Sequence, residues 1–386
     1  MDFSLTDEQE AFRDSVRDWV GRECPKDEAR RLEAREFEYP EELWAKMAAA
    51  RFPGIGLPEE AGGEGGGLIE QVLLQRELAR SLAGLTWMWG ITAFCARAVW
   101  RFGQDGLRRS LVPDVADGKA RIAMAVTEAA GGTDLLGALR TTARRQGGDW
   151  VLTGEKMWST GALAAQHLLV LARTNAVEGR PDKGLSMFLV PNPSRGLEVR
   201  PIPKLGMRAL ASCAVRFDDV VLPEDRMVGT LDEGWKEMVS VIDTERVLLA
   251  ALCCGILDGV LEDAVAYSLD RQAFGRPIGA FQAVQHHLAD IAMWRAQSEL
   301  VTLHAAWLAA TGRPFSIEAD IAKVVTSEHA VAAADLGLQI LGGVGYSLET
   351  DMQRYWRDAR LFRIGPVTNE VAKSMIARQL GMPRAW

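Results

Sequence analysis

Two short stretches of the sequence carry residue types suited to binding a flat or charged ligand. One is Ile122–Asp134, which reads I-A-M-A-V-T-E-A-A-G-G-T-D, and the other is Gly154–Gly161, which reads G-E-K-M-W-S-T-G. The first stretch alternates apolar residues and then breaks into small ones, which is typical of a strand that ends in a loop. Such a loop lets its backbone N–H groups approach an anion or a flat heterocycle closely.

The second stretch places an aromatic residue and a hydroxyl two positions apart. If it is a regular strand, Trp158 and Thr160 lie on the same face. The indole could then cover a flat ring while the hydroxyl bonds to the edge of that ring. The alternative is a hairpin in which Trp158 belongs to the core and the Thr residues are solvated, and these residues alone leave both interpretations open.

The composition fits a folded enzyme and disfavours several other classes. The chain has 386 residues, 48% of them hydrophobic and 25% charged, and its net charge is −8. An acidic chain of this kind is a poor nucleic-acid binder. The cysteines have no C-x-x-C spacing, and no basic and apolar leader precedes the first helical pattern. We therefore expect reduced thiols and a cytoplasmic location. The cysteines are Cys24, Cys95, Cys213, Cys253 and Cys254.

Neither a membrane span nor a metal site is expected. The longest uncharged run, Ser81–Ala96, is short for a span and is typical of a buried helix. The histidines do not cluster with carboxylates at ligand spacing. His286 and His287 are adjacent, so on a helix they point about 100° apart and make poor co-ligands.

The order of elements predicts an α+β protein. Phe12, Val16, Trp19 and Val20 follow helical spacing, and helical patterns continue to about residue 118. Short β-rich runs separated by Gly, Pro, Asn and Asp follow, and long helical patterns return after Gly234. Segregated helices and strands exclude an alternating βαβ fold. We expect a helical unit at 1–119, an antiparallel β unit at 120–229 and a helical unit at 230–386.

Several motifs together resemble those of the acyl-CoA dehydrogenase family. The stretch T-E-A-A-G-G-T-D resembles the family's T-E-P-x-A-G-S-D, and G-E-K-M-W-S-T-G resembles its G-x-K-x-W-I-T-N. Further matches follow in the family's order and spacing, so the resemblance covers essentially the whole chain. They are R-Q-A-F-G-R-P-I-G-A-F-Q at 271–282, Q-I-L-G-G-V-G-Y at 339–346, W-R-D-A-R at 356–360, and the opening M-D-F-S-L-T-D-E-Q-E.

The resemblance implies a fold and a cofactor. The family has a helical domain, a central β domain and a C-terminal four-helix bundle, and it usually forms homotetramers, so we expect a homotetramer or a dimer. FAD lies between the β domain and the C-terminal helices and is partly held by a neighbouring subunit. The implied FAD residues are Val126, Thr127, Gly132 and Thr133 at the flavin and thioester end, Trp158 and Thr160 at the isoalloxazine, Arg271, Phe274 and Gln282 at a partner's adenosine, Gln339, Gly342 and Gly343 at the diphosphate, and Thr368 at a phosphate.

Simpler interpretations remain for single residues. Arg271 fits a surface charge, and the Gly342–Gly343 pair fits the end of a helix. Three positions also depart from the family pattern: Ala129 replaces Pro, Thr133 replaces Ser, and Ala273 replaces Thr. We expect these departures to alter the site without abolishing FAD binding.

The catalytic base cannot be at the family's usual position, because Pro366 stands where many family members carry their catalytic glutamate. A minority, of the isovaleryl-CoA dehydrogenase and crotonobetainyl-CoA reductase types, carry it on the first long C-terminal helix before an arginine. The segment D-T-E-R-V makes Glu245 the expected base, with Arg246 and Thr133 on the substrate. The alternatives are that Glu245 pairs with a cation on a solvated face, or that Glu370 is the base, although Glu370 matches a cofactor-side position.

Pro366 raises a further question about the substrate carbonyl. In the family, the backbone N–H at this position helps to hold the thioester oxygen, and proline has none. Losing one such donor costs about two to three powers of ten in rate. Either the loop shifts so that the N–H of Val367 donates to the thioester oxygen, or this chain has an unusual substrate pose or a low activity.

The resemblance implies FAD-dependent conversion of an acyl-CoA to a trans-2-enoyl-CoA, with electrons passed to an electron-transfer flavoprotein. The alternatives are a dehydrogenase for acyl-carrier-protein thioesters, a flavin oxidase, or a flavoprotein of this fold that has lost dehydrogenation. Bulky residues that could line the acyl pocket favour a short or branched acyl group. They are Trp87, Met88, Trp89 and Phe94.

Overall fold

A computed structural model describes residues 4–383 of the chain. Helices fill the N-terminal part, and the expected stripe on the first of them is buried at Val16, Trp19 and Val20. Thr6 accepts a hydrogen bond from Gln9 N and forms a capping box there. The helices are α1 (Asp7–Glu23), α2 (Lys26–Ala34), α3 (Glu41–Ala49), α4 (Leu68–Ser81), α5 (Ala83–Phe102) and α6 (Asp105–Ala116).

A twisted sheet follows these helices. Its order is β6-β7-β3-β2-β4-β5-β8, with β1 beside β4. Most neighbours are antiparallel as expected, but β4 runs parallel to β1, and its last residue, Arg173, pairs in parallel with Thr142, the first residue of β2. Parallel pairing needs a long connection, and here the loop after β1 and the β2–β3 hairpin supply it. The strands are β1 (Ile122–Ala125), β2 (Thr142–Gln146), β3 (Asp149–Thr160), β4 (His167–Arg173), β5 (Leu185–Pro191), β6 (Leu197–Ile202), β7 (Ser212–Leu222) and β8 (Met227–Val228).

The C-terminal part is a bundle built around one long helix, which packs against α4 and α5 of the N-terminal part. Its elements are α7 (Gly234–Asp270), β9 (Gln272–Ala273), β10 (Arg276–Pro277), α8 (Gln282–Ala310), α9 (Ser316–Leu341), α10 (Gly343–Tyr346), α11 (Met352–Leu361) and α12 (Asn369–Gln379). α7 has 37 residues, so it is about 55 Å long at 1.5 Å per residue. This architecture confirms the predicted fold class.

A buried ion-pair network joins three of these helices. Arg76 of α4 donates to Asp258 of α7 at 2.6 Å and to Glu299 of α8 at 2.6 Å. Arg295 of α8 donates to the same Asp258 at 2.8 Å. Removing one partner of a buried pair typically costs about 3–5 kcal/mol, because the other charge is left unpaired. The network therefore fixes how α4 lies on the C-terminal bundle.

Residues 4–383 contain no membrane-spanning helix, no metal-binding cluster and no disulfide. No helix there is long and apolar enough to cross a membrane. No group of His, Cys, Asp and Glu in this part of the chain could hold a metal ion. The five cysteines all lie within it and are free and buried. The first three residues of the motif that opens the sequence lie outside the described range.

Candidate active site

A bulge in β3 determines how Trp158 and Thr160 are presented. Lys156 pairs with Val215 and Ser159 with Cys213, so β3 carries one extra residue here. Trp158 takes a positive φ of 63° and leaves 56% of its side chain exposed. Thr160 is buried.

The bulge overturns two interpretations of this stretch. Strict alternation is broken, so the prediction that Trp158 and Thr160 share a face of a regular strand is wrong. The alternative of a core tryptophan with a solvated threonine is also wrong, because the burial is reversed. Thr160 Oγ1 lies 2.8 Å from Ser212 Oγ, whereas the Trp158 indole remains available to a ligand.

A buried ion pair fixes the loop that follows β1. Glu128 Oε1 accepts from Thr141 N at 2.8 Å and from Lys156 Nζ at 2.9 Å. Glu128 Oε2 accepts from Arg140 N at 2.7 Å, and Lys156 Nζ also donates to Val126 O at 2.9 Å. Burial raises the pKa of Glu128, but the charge of Lys156 and these hydrogen bonds outweigh burial and leave it lowered. Burial lowers the pKa of Lys156 to about 8, against the pull of Glu128.

The predicted ligand-binding residues of this loop differ in exposure. Val126 is buried in an apolar cluster with residues of α5 and α7. Thr127 O accepts from Met157 N at 2.8 Å, which ties the loop to the bulge in β3. Gly132 and Thr133 lie exposed at the tip of the loop, and a Cβ added at Gly132 would meet no atom. The open tip is compatible with close approach of a ligand.

Glu245 is a half-buried carboxyl group on α7. It makes no hydrogen bond or ion pair with the residues that the structure describes, so the alternative of an ion-paired surface glutamate does not hold. Burial raises its pKa to about 7, while the charges of Arg246 and Arg97 act in the opposite direction. One turn earlier on α7, Val241 packs against the cluster that contains Val126. A carboxyl group with a near-neutral pKa therefore lies on α7, one turn from a residue that packs against the cluster containing Val126.

Arg246 is held inside the protein. Its side chain is 2% exposed, and Nη1 lies 2.8 Å from Asp320 Oδ1. Nη2 also pairs with Asp243. The assignment of Arg246 to substrate binding stays a prediction. In this structure its guanidinium pairs with Asp320 and Asp243, and it also donates to Ser316 Oγ at 3.3 Å and to Met375 Sδ at 3.5 Å.

Glu370, the rival base, lies exposed in the first turn of α12. Hydrogen bonding to its own backbone N–H is the largest influence, and it lowers the pKa of this carboxyl group. A lowered pKa makes Glu370 a weaker proton acceptor than Glu245.

The loop before α12 offers a free backbone donor beside Pro366. The N–H of Val367 donates to no acceptor within the described part of the chain. Thr368 caps α12 by accepting from Val371 N at 3.2 Å. Val367 is therefore available for the role that Pro366 cannot fill, and the role of Thr368 toward a phosphate stays a prediction.

The remaining predicted cofactor residues lie at the opposite end of α7. Arg271 follows the last residue of α7, about 39 Å along the helix axis from Glu245 at 1.5 Å per residue. Phe274 is 95% exposed at a φ of 52°, and Gln282 is also exposed. These side chains are accessible, but within a single chain they lie far from Glu245.

The glycine segment lies at that same far end. Leu341 lines a cavity together with Tyr267 and Asp270 of the last turn of α7. Gly342 is the C-cap of α9, as the simpler interpretation expected, and its N–H donates to Leu338 O at 2.9 Å. A Cβ added at Gly342 or at Gly343 would meet no atom, and these glycines and Gln339 are exposed. The backbone there is open to an external group, so both interpretations remain compatible.

Trp158 and Val367 have properties that a flavin site requires. The broad indole of Trp158 is exposed, and covering it with a flat heterocycle would remove apolar surface from water. The free N–H of Val367 supplies a donor of the kind that a carbonyl oxygen requires. When FAD is bound, Trp158 would cover the ring and the loop after β1 would approach it.

Three residues of this region were not identified from the sequence. Lys156 and Glu128 stand inside the two motifs, yet their pairing across 28 positions is visible only once β3 and the loop are packed. Arg97 could have been identified from the sequence, because it is the first charged residue after the long uncharged run Ser81–Ala96.

The whole chain matches one protein family. Residues 6–119 match the acyl-CoA dehydrogenase N-terminal domain, residues 123–220 match the middle domain, and residues 232–381 match the C-terminal domain.

Individual proteins and solved structures are also similar to the chain over nearly its whole length. The chain is 34% identical over 386 residues to a probable acyl-CoA dehydrogenase, YngJ, of Bacillus subtilis, covering 98% of this chain and 100% of that protein. The solved butyryl-CoA dehydrogenase of Megasphaera elsdenii is 30% identical with a TM-score of 0.92, covering 99% of this chain and 100% of that one. A structure described as the FAD complex of PigA is 28% identical with a TM-score of 0.91, covering 99% of each chain.

Proposed function

Because the chain belongs to the acyl-CoA dehydrogenase family, we propose that it uses FAD to introduce a trans double bond between Cα and Cβ of an acyl thioester, with Glu245 as the base. The observation that carries this proposal is the state of Glu245. It is an unpaired, half-buried carboxyl group with a pKa near 7, on the helix face that packs against Val126. A base with this pKa is matched to proton removal at neutral pH.

The chain's own residues divide the work. Glu245 accepts the α-proton of the substrate, and the electron pair of that C–H bond forms the new double bond. When bound, FAD supplies the acceptor for the hydride that leaves Cβ. Val367 N–H donates to the thioester oxygen, which takes up negative charge as the α-proton leaves. The positive charges of Arg97 and Arg246 favour the ionised form of Glu245 between turnovers.

A second copy of the chain completes the cofactor site in this proposal. Arg271 and Phe274 are exposed and lie about 39 Å along α7 from Glu245, beyond reach of the same isoalloxazine end. Their position supports a homotetramer or homodimer in which each copy contributes its Arg271 end to the FAD of another. Sedimentation of the FAD-loaded protein should give a dimer or a tetramer, and a monomer that retains FAD would contradict this arrangement.

The proposal also includes an acyl carrier and an electron acceptor. We take a coenzyme A thioester as substrate and an electron-transfer flavoprotein as acceptor, on the basis of the family. Turnover should require an added acceptor and proceed with acyl-CoA. Rapid oxygen consumption without an added acceptor would instead identify an oxidase, and turnover only with acyl-carrier protein would identify a biosynthetic dehydrogenase.

A screen of acyl-CoAs with an artificial electron acceptor tests the proposal. The wild-type protein should reduce the acceptor in the presence of at least one acyl-CoA, and Glu245→Gln should lower kcat by about two to four powers of ten. Glu370→Gln is the matched control, since it changes an exposed glutamate that we do not assign to proton removal. Equal losses in both variants, with FAD retained, would refute the assignment of the base.

A further inference from the structure

The loop between α11 and α12 is closed by contacts between residues at its two ends. This donor loop, residues 362–368, carries the free N–H of Val367. Asn369 N donates to Arg363 O at 3.1 Å. Glu328 of α9 bridges the same two residues, because its Oε1 accepts from Asn369 Nδ2 at 2.8 Å and its Oε2 lies 3.1 Å from Arg363 Nη2. Both ends of the donor loop are therefore fixed to each other and to α9.

A buried lysine fixes the orientation of the Asn369 amide. Lys323 Nζ of α9 donates to Asn369 Oδ1 at 2.5 Å, and both residues are at most 1% exposed. An ammonium group can only donate and the Glu328 carboxylate can only accept. A flipped amide would place its nitrogen against the ammonium group and its oxygen against the carboxylate. The side chain of Asn369 therefore has a single favourable orientation.

Lys323 is a buried cation that meets a neutral group. None of the ion pairs found within residues 4–383 includes it. Burial lowers the pKa of Lys323 to about 8, although acidic groups around it act in the opposite direction. Such a cation is costly compared with an apolar side chain of the same length. Packing alone does not account for a lysine here, whereas a charged donor gives a stronger hydrogen bond to Asn369 than a neutral one would.

The same stretch of α9 holds the helix that carries the proposed base. Asp320 lies one turn before Lys323, and its Oδ1 is 2.8 Å from Arg246 Nη1. Arg246 directly follows Glu245 in α7, and it also donates to Met375 Sδ of α12 at 3.5 Å. One side chain of α9 thus holds α7 beside the base, and the next one holds the donor loop. Both parts of the site are therefore positioned from α9.

On the basis of the proposed function, in which Val367 N–H donates to the thioester oxygen, we infer that Asn369 is the positioning residue for this donor and that Lys323 holds Asn369 in place. Asn369 comes two residues after Val367, so fixing its side chain and its backbone N–H fixes the path of the chain through the donor. A donor that is oriented before the substrate binds needs no reorganisation as charge develops on the oxygen.

The carbonyl stretch of a bound thioester reports on this donor without turnover, because a hydrogen bond to the oxygen weakens the C=O bond and lowers its stretching frequency. The parent protein is FAD-loaded Glu245→Gln, which should bind butyryl-CoA without reacting. Infrared difference spectra between unlabelled butyryl-CoA and butyryl-CoA labelled with carbon-13 at the thioester carbon isolate the bound carbonyl. Its frequency should lie below that of free butyryl-CoA, and adding Val367→Pro should remove most of this shift.

Adding Asn369→Ala or Lys323→Met to the parent protein should also remove most of the shift. Lys323→Met should fold, since it replaces a buried cation that has no ion pair with an apolar side chain of similar length. With Glu245 intact, each of these two variants should lower kcat by up to about two to three powers of ten, the effect of one lost donor. Lys373→Met is the matched control, because Lys373 is exposed on α12 and should leave the shift unchanged.

The possible results separate the inference from the proposed function. If Val367→Pro removes the shift but Asn369→Ala and Lys323→Met retain it, the inference is overturned and the proposed donor stands. A shift that only Lys323→Met retains would overturn the role of Lys323. If the parent protein shows no shift, or if Val367→Pro retains it, the donor assigned in the proposed function is wrong and the inference is overturned with it.

Discussion

The Lys156 ammonium group and the Glu128 carboxylate lie 2.9 Å apart beneath the loop that follows β1. Lys156 is fully buried, and it also donates to the carbonyl of Val126. The same pair therefore joins the two sequence stretches that were expected to form the site. The ion pair holds the loop after β1 from below, and the tip of that loop at Gly132 carries little side-chain bulk.

Breaking this pair should destabilise the protein. Lys156→Met leaves Glu128 without its cation and should lower the free energy of unfolding by about 3–5 kcal/mol. Urea unfolding of the variant measures this. The double variant Lys156→Met/Glu128→Gln should lose less than the sum of the single losses, because it leaves no unpaired charge. Arg200→Met is the control, as it breaks an exposed pair with Glu198 and should change stability little.

The pH dependence of catalysis should follow Glu245. The base must be ionised, so kcat/KM should fall as the pH is lowered through about 7. Arg97→Met removes a charge that lowers the pKa of Glu245, and the inflection should move to higher pH. Rate profiles over a buffer series check both results. An inflection that Arg97→Met leaves in place would show that this arginine does not act on the base.

Glu245 should also affect stability in a defined pH window. Its pKa rises from 4.5 in the unfolded chain to about 7 in the folded one, so the folded state binds its proton more tightly. The resulting stabilisation is fully present below pH 4.5 and is lost as the pH rises through 7. Glu245→Gln cannot titrate, so the difference in unfolding free energy between wild type and variant should change across this window. A constant difference would contradict the raised pKa.

Trp158 should matter for the cofactor and not for the apoprotein. Its side chain is 56% exposed, so Trp158→Ala should leave apoprotein unfolding nearly unchanged. FAD binding should weaken by about two- to tenfold, the value of one aromatic stacking contact. Fluorescence titration with FAD measures this. Trp158→Phe should retain most of the affinity, and an unaltered affinity in Trp158→Ala would remove the indole from the site.

The backbone donor beside Pro366 can be removed by substitution. Val367→Pro eliminates the free N–H and should lower kcat by about two to three powers of ten while FAD remains bound. Pro366→Ala is the companion variant, because it restores an N–H at the neighbouring position and should not lower kcat. Stopped-flow reduction of bound FAD would separate these effects from product release. An unchanged rate in Val367→Pro would exclude this donor.

The sequence was sufficient for the order of helices and strands, because helical and alternating periodicities are local properties. The stripe Val16, Trp19 and Val20 and the break into β structure near residue 120 both follow from such patterns. The presentation of Trp158 could not be predicted, since a bulge depends on the register with β7. The sequence also could not predict that, within the described residues, Glu245 has no ion-pair partner or that Arg97 Nη2 has no acceptor. Both depend on how the side chains of neighbouring helices pack around them.

Anaerobic reduction of bound FAD by a single equivalent of acyl-CoA tests whether Glu245 removes the α-proton. The wild-type protein should lose its yellow colour, and Glu245→Gln should bind the same acyl-CoA with similar affinity yet remain yellow over the same time. Bleaching of Glu245→Gln at the wild-type rate would show that Glu245 does not remove the α-proton.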